Sequence, residues 1–398
     1  MTRVGVALAG GGPLGGIYEI GASVALAEAV GGLDFNRAAI LVGVSSGSLV
    51  AAAFANGIEP ERLARNLINN DAEEFFDPEH LLRPAFGEYM SRALSVPQLL
   101  FSAAQDYLSH PFQHNVFESF QRLSRAIPTG LFDNKGIERV MRDMFSRPGR
   151  TNDFRKLKNR LFLVATDLDS GESVAFGSAG HDDVPISTAV QASTALPGLF
   201  PPVPIGDQYF VDGALIKTLH ASIALREGAE LVVCINPLVP FDAELAARRN
   251  ARERETLTSG GLPVVLSQTF RAIIHSRMRV GMDRYKHQYG DADVMLFEPS
   301  RDDAEMFFTN VFSYRDRARL CEHAYQRTRT DLYRRRHELK PILERHGMSL
   351  DVAALKDHRR TLLNRPRRHA RVSLQKTASA LVHSLEELQR WIEAHRAT

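Results

Sequence analysis

The sequence predicts an α/β fold with a mainly parallel central sheet flanked by helices and a helical C-terminal extension. Three observations predict it. Short apolar, β-branched runs lie at Val4–Ala9, Ile40–Val44, Leu161–Thr166, Gln208–Val211 and Leu231–Ile235. Helix-like stretches lie between several of them, and such alternation argues for a parallel sheet covered by helices. Two glycine-rich turns each follow one of these runs and open a helical pattern. From Tyr314 onward the chain reads as helices separated by breaks.

The first run, Arg3 to Ala9, passes directly into Gly10-Gly11-Gly12-Pro13-Leu14-Gly15-Gly16, and a helical pattern follows from Ile17 to Val30. A glycine turn between a strand and a helix presents backbone N–H groups to an anion. That anion is either a nucleotide phosphate or the oxyanion that develops on a carbonyl under attack. No Walker lysine string can be drawn here. The dinucleotide fingerprint fits loosely as Gly10-x-Gly12-x-x-Gly15, but the acidic residue near the required distance, Asp34, lacks a preceding β-run. A dinucleotide site also leaves Ser45 without a use.

The second run, Ala38 to Val42, ends in Gly43-Val44-Ser45-Ser46-Gly47, and a small-residue helical run, Ser48 to Ala53, follows. Strand, sharp turn and helix are the context that makes G-x-S-x-G a nucleophile elbow, with the serine Oγ projecting above the sheet edge. A plain strand-to-helix turn with an N-capping serine would satisfy the same pattern. The fourth run ends in Tyr209-Phe210-Val211-Asp212-Gly213-Ala214, which places an aspartate at a strand end before a glycine turn. An Asx-turn alone would explain that aspartate.

Taken in order, Gly10 to Gly15, Gly43 to Gly47 and Asp212-Gly213-Ala214 resemble the patatin-like phospholipase family. Leu131 to Lys135, Val164 to Leu168, and Val184 through Pro202 resemble its connecting segments. The resemblance covers roughly residues 3–240, with fading support to about 300. It departs at Leu14, where many bacterial members carry Arg or Lys, at Ser46 in place of a common alanine, and at Ala214 in place of a second glycine. The resemblance implies a patatin-like fold and a Ser–Asp dyad, with Ser45 as nucleophile and Asp212 as base. It further implies an oxyanion hole from the amides of Gly10, Gly11 and Gly12, helped by Ser46, with Gly43 and Gly47 shaping the elbow. The implied activity is hydrolysis of a lipid ester of phospholipase A or lysophospholipase type.

A carboxylate can activate a serine if it is held within hydrogen-bond reach and partly desolvated. The rival is a Ser-Asp-His triad, for which His220 or His275 stands after the acid. Acyl transfer to an alcohol would use the same residues, and a membrane- or partner-binding protein with a residual fold of this family is the alternative from another class. No metal-ligand spacing is present, so neither a metal nor a cofactor is expected.

The chain has 398 residues, of which 44% are hydrophobic, so it can bury a sizeable core. Its two cysteines, Cys234 and Cys321, fit no disulfide framework. No apolar run reaches membrane-spanning length, and the expected location is cytoplasmic, with peripheral association at the inner membrane surface as an option. Residues 1–300 read as the catalytic domain, and the aromatic, proline-broken stretch 71–125 within it reads as a helical cap or lid. Residues 301–398 read as a basic helical region. From Arg315 to Lys376 there are 18 Lys and Arg against 7 Asp and Glu, in a chain whose net charge is +2. That concentration suits either a solvated face or an anionic membrane surface, and no nucleic-acid motif accompanies it. Leu381, Leu385, Leu388 and Ile392, beside Trp391, read as an amphipathic helix. The expected partner is a phospholipid or other lipid ester.

Overall fold

The computed structural model describes residues 2–69, 129–250, 257–309 and 316–363. The expected cap at 71–125, the basic cluster from Arg365 to Arg371 and the amphipathic stretch around Trp391 lie outside the described residues.

The strands are β1 (Val4–Leu8), β2 (Val30–Gly31), β3 (Ile40–Val44), β4 (Arg160–Asp167), β5 (Ser173–Phe176), β6 (Val203–Ile205), β7 (Gln208–Asp212), β8 (Leu231–Ile235), β9 (Asp293–Phe297) and β10 (Ser349–Leu350). The first helices are α1 (Gly12–Ala29), α2 (Ser46–Ala55), α3 (Pro60–Asn69), α4 (Lys135–Phe145), α5 (Ile186–Ser193) and α6 (Ala221–Arg226). They are followed by α7 (Ala243–Asn250), α8 (Gly261–Gln288), α9 (Ala304–Phe308), α10 (Arg317–Arg334), α11 (Arg336–Arg345) and α12 (Val352–Lys356). Helix α1 begins at Gly12 rather than near Ile17. Pro13 in its first turn has φ pre-set for a helix, so the glycine turn is itself the helix start.

The main sheet has hydrogen-bonded neighbours in the order β6-β7-β4-β3-β1-β8-β9, with β5 also on β4. The pairs β3–β1, β1–β8, β8–β9 and β3–β4 are parallel, and β4–β5, β4–β7 and β6–β7 are antiparallel. The sheet is therefore mixed and dominated by parallel strands, flanked by helices. Side chains alternate between two apolar clusters, as the period of a strand requires. Val6, Leu8, Leu41, Leu163 and Val233 join the helices α1–α5 and α10 on one face. Ala7, Val42, Phe162, Val232 and Cys234 face α6 and α8 on the other.

Two features of this sheet position the site. The first is the path along β4, where β3 pairs with residues 160–164 and β7 pairs with residues 165–167. The Arg160 N–H donates to Ala39 and the Leu168 N–H donates to Tyr209, whereas the Asp167 N–H donates to Glu172 ahead of β5. Even-numbered residues of a strand present their backbone groups to the same side. Strands β3 and β7 therefore follow one another along one edge of β4. Val44 stands opposite Val164 and Asp212 opposite Ala165, so the residue that leaves β3 meets the residue that ends β7.

The second is β1, which sits between β3 and β8. Loops diverge to either side at such a reversal of strand order, and this opens a crevice at the carboxyl ends of the strands. The loop after β1 is the glycine turn, and the loop after β3 carries Ser45.

The C-terminal helix α10 lies against α1. At Gly21 the contact is so close that an added Cβ would overlap the carbonyl oxygen of Cys321. Cys321 and Cys234 are both buried free thiols.

Candidate active site

Ser45 is the one non-glycine residue with positive φ among the described residues, at φ 52° and ψ −126°. That backbone is strained for an L-residue, and it is the conformation a sharp strand-to-helix elbow needs. Close packing holds it in place. A Cβ on Gly47 would come within 2.6 Å of the Leu8 carbonyl oxygen, so the first turn of α2 can rest on the end of β1 only with glycine there. The Ser48 hydroxyl donates to the Ser45 carbonyl at 2.6 Å. The Ser45 N–H donates to Ser193 Oγ at 2.9 Å, and that hydroxyl donates in turn to the Val164 carbonyl at 2.6 Å.

The Ser45 hydroxyl donates to Asp212 Oδ2 at 2.6 Å. The other carboxylate oxygen, Oδ1, accepts the Ala214 N–H at 2.8 Å. Ser45 is 6% exposed and Asp212 2% exposed. Burial pushes the Asp212 carboxyl up to about 6, against the Ser45 hydroxyl and the Ala214 amide, which favour the charged form. Asp212 is thus ionised at neutral pH yet far more basic than a solvated aspartate.

His220 is buried next to α6, its Nε2 has no hydrogen-bond partner, and burial lowers it to about 3. With the two Asp212 oxygens taken by Ser45 and Ala214, no imidazole stands between acid and serine. His275 pairs instead with Glu298 at 3.8 Å.

The glycine turn lies against Ser45. A Cβ on Gly10 would sit 3.0 Å from Ser45 Cβ and 2.9 Å from Ala214 Cβ. Gly10 differs from its expected role, because its N–H donates to the Thr218 carbonyl at 3.3 Å. The remaining amides of the expected set are those of Gly11, which precedes α1, Gly12, which starts it, and Ser46, which starts α2. The first N–H groups of a helix have no partner inside it, and two helix N-termini at one point favour negative charge there.

Ser45, Ser46, Asp212, Gly11 and Gly12 all line a cavity of about 450 Å³. Its walls are largely apolar and include Ile17, Leu49, Val50, Leu67, Met141, Met144, Leu199 and Phe270. The polar exceptions beyond the serines and Asp212 are Thr194, Ser267 and Arg271. Sequence reasoning missed Ser193 and Arg271. Neither carries a motif of its own: Ser193 lies in a small-residue helix, and Arg271 follows the polar Ser267-Gln268-Thr269 and Phe270 without a pattern that marks it. Among the described residues no group of His, Cys, Asp and Glu is arranged to hold a metal ion.

The family model of patatin-like phospholipases matches residues 6–225, more than half of the chain. The chain belongs to the patatin-like phospholipase family. Similar curated proteins include uncharacterized NTE family proteins of Mycobacterium tuberculosis and Mycobacterium bovis, 26% identical over 234 residues. That alignment spans 58% of this chain and 30% of each relative. The crystal structure of VipD from Legionella pneumophila is similar over 82% of this chain and 66% of that one, at 15% identity and a TM-score of 0.35. Full-length ExoU from the type III secretion system of Pseudomonas aeruginosa, in complex with SpcU, is similar over 50% of this chain and 38% of that one, at 16% identity and a TM-score of 0.26.

Proposed function

We propose that this member of the family is a serine lipid acyl hydrolase that cleaves phospholipid or lysophospholipid esters. The observation that carries the reading is the 2.6 Å hydrogen bond from the Ser45 hydroxyl to a buried carboxylate, at the wall of an apolar cavity. A serine hydroxyl is a weak nucleophile until a base takes its proton, and Asp212 is placed and tuned to take it.

In the first half-reaction Ser45 Oγ attacks the ester carbonyl carbon as its proton passes to Asp212 Oδ2. The carbonyl electron pair moves to oxygen, and the amides of Gly11, Gly12 and Ser46 receive that charge. Each well-aimed donor of this kind is worth about 3–4 kcal/mol in the transition state. Collapse breaks the bond to the leaving alcohol, which takes the proton from Asp212, and the acyl group stays on Ser45. In the second half-reaction water gives its proton to Asp212 and attacks the acyl carbon. Ser45 then leaves with that proton, and the fatty acid is released. An alcohol in place of water would turn the second half into acyl transfer.

The apolar walls supply the binding energy for an acyl chain, at about 0.8 kcal/mol per buried methylene. The chemistry in this reading belongs to residues 1–300, and α10 of the region 301–398 supports α1 behind the glycine turn.

The test is turnover of a fluorogenic short-chain ester and a phospholipid by wild type, Ser45→Ala and Asp212→Asn. Loss of nearly all turnover in both variants, with circular dichroism unchanged, is the expected result, because nucleophile and base act as a unit. More than a few per cent of activity in either folded variant would refute the dyad.

A further inference from the structure

Arg271 projects from the middle of α8 into the wall of the cavity that holds Ser45 and Asp212. It is 6% exposed. Its guanidinium donates from Nη1 to the Val239 carbonyl at a long 3.3 Å and lies 5.2 Å from the centre of the Phe307 ring. Its Nε–H has no partner, and among the described residues no carboxylate forms an ion pair with it. Burial lowers its pKa only to about 10, so it is a cation at neutral pH.

A guanidinium buried without a carboxylate is costly, because most of its hydration is lost and little replaces it. The surrounding structure nevertheless fixes it. Gln268, one turn earlier on α8, exchanges hydrogen bonds with both backbone groups of Phe241. The segment that holds Arg271 through Val239 begins at Pro237, whose ring packs so closely on Gly11 that a Cβ there would come within 2.6 Å. The cation is therefore tied to the same short segment that supports the glycine turn.

We infer that Arg271 binds the phosphate of the lipid headgroup while the ester carbonyl of the same molecule sits at Ser45. This rests on the hydrolase reading above. A guanidinium fork matches the oxygens of a phosphate or a carboxylate. The carboxylate of a fatty acid forms at the reacting carbonyl carbon on hydrolysis, so it belongs at Ser45. A glycerophospholipid carries its anion a few bonds from the ester carbonyl, which suits two fixed points in one cavity. Arg271 would then select phosphorylated over neutral glycerolipids, whereas the apolar walls serve both.

The test compares wild type with Arg271→Met, which keeps an unbranched apolar stem without the charged fork, and with Arg271→Lys. Turnover is measured on 1-octanoylglycerol and on 1-octanoylglycerol 3-phosphate, which share acyl chain and glycerol. Binding of the non-hydrolysable 1-O-octylglycerol 3-phosphate is measured by calorimetry. In Arg271→Met, affinity for the ether phosphate is expected to fall about 10- to 100-fold, and the ratio of kcat/KM for the phosphorylated ester to that for the neutral ester to fall by a similar factor. Arg271→Lys should lose less, and it provides the reading if Arg271→Met does not fold. Inorganic phosphate should inhibit neutral-ester turnover in wild type more strongly than in Arg271→Met. Equal losses on both esters, or unchanged binding of the ether phosphate, would overturn the inference and leave Arg271 a support for the Val239 segment. Selective binding without turnover of any ester by wild type would refute the hydrolase reading and not this one.

Discussion

Asp212 carries two opposed demands, burial and charge, and its pH behaviour follows from both. Its folded pKa of about 6 lies above the ordinary 3.8 of an aspartate. As the proposed base it must be ionised to act, so kcat/KM is expected to be flat above about pH 6 and to fall about tenfold per unit below it. A pH–rate profile of a soluble ester checks this. Stability runs the other way. Between 3.8 and 6 the folded state holds more protons at Asp212 than the unfolded state, so stability falls as pH rises through that window, and the whole cost is present above it. Two pKa units correspond to about 3 kcal/mol. Asp212→Asn is therefore expected to be more stable than wild type at pH 8 and to lose that advantage at pH 4, as read from denaturation midpoints. Ser193→Ala leaves the Ser45 N–H and the Val164 carbonyl without their shared partner. It should cost about 1–3 kcal/mol of stability and lower kcat, because the elbow loses a fixed point. His220→Ala should retain substantial activity, since the Asp212 oxygens are already engaged with Ser45 and Ala214. At this scale the meeting of Ser45 with Asp212 was legible because each sits in a contiguous pattern with its own chemical meaning, whereas the engagement of the Gly10 N–H with Thr218 was not. Ser193 and Arg271 were not, because their roles exist only once distant segments meet.

The elements owe their positions to a few close backbone contacts. Strands β3 and β7 share one edge of β4, and the strained turn at Ser45 starts where the edge passes from one to the other. Gly47→Ala would push a methyl group into the Leu8 carbonyl, so it should destabilise the fold by several kcal/mol and remove activity with it. Gly21→Ala tests the contact of α1 with α10. The added methyl meets backbone rather than a flexible side chain, and a loss of about 1–3 kcal/mol is expected in chemical denaturation. The buried strands β3 and β8 could be read to the residue, because fully buried strands are continuous apolar runs. Strands β5, β6 and β9 were not read, since short edge strands lack both a long apolar run and strict alternation. The start of α1 was placed too late because glycine is a poor helix former by propensity, and only the turn geometry at Gly12 and Pro13 overrides that.

Across the whole molecule the charge of the C-terminal region divides in two. Many basic residues of α10 and α11 are engaged within the fold. Arg335 pairs with Asp331 and Glu338, Arg345 with Asp293, and Arg329 donates to the carbonyls of Ala354 and Asp357. Those charges serve packing, a division that the sequence's net positive charge could not reveal. The cluster Arg365, Arg367, Arg368 and Arg371 follows the described residues. Neutralising those four is expected to weaken binding to anionic vesicles and flatten its salt dependence, and to leave turnover of a soluble ester unchanged. Unchanged vesicle binding at low salt would return the cluster to a solvated face. No described helix is long and apolar enough to cross a membrane.

The proposed chemistry requires Ser45 to be the nucleophile. Intact-protein mass spectrometry after incubation with a fluorophosphonate measures this directly, because the probe marks a serine whose hydroxyl is activated beside an oxyanion site. A single adduct on Ser45 in wild type, absent from Ser45→Ala and much slowed in Asp212→Asn, is the expected outcome. Equal labelling of Ser45→Ala, or an adduct on another residue, would exclude Ser45 as the nucleophile.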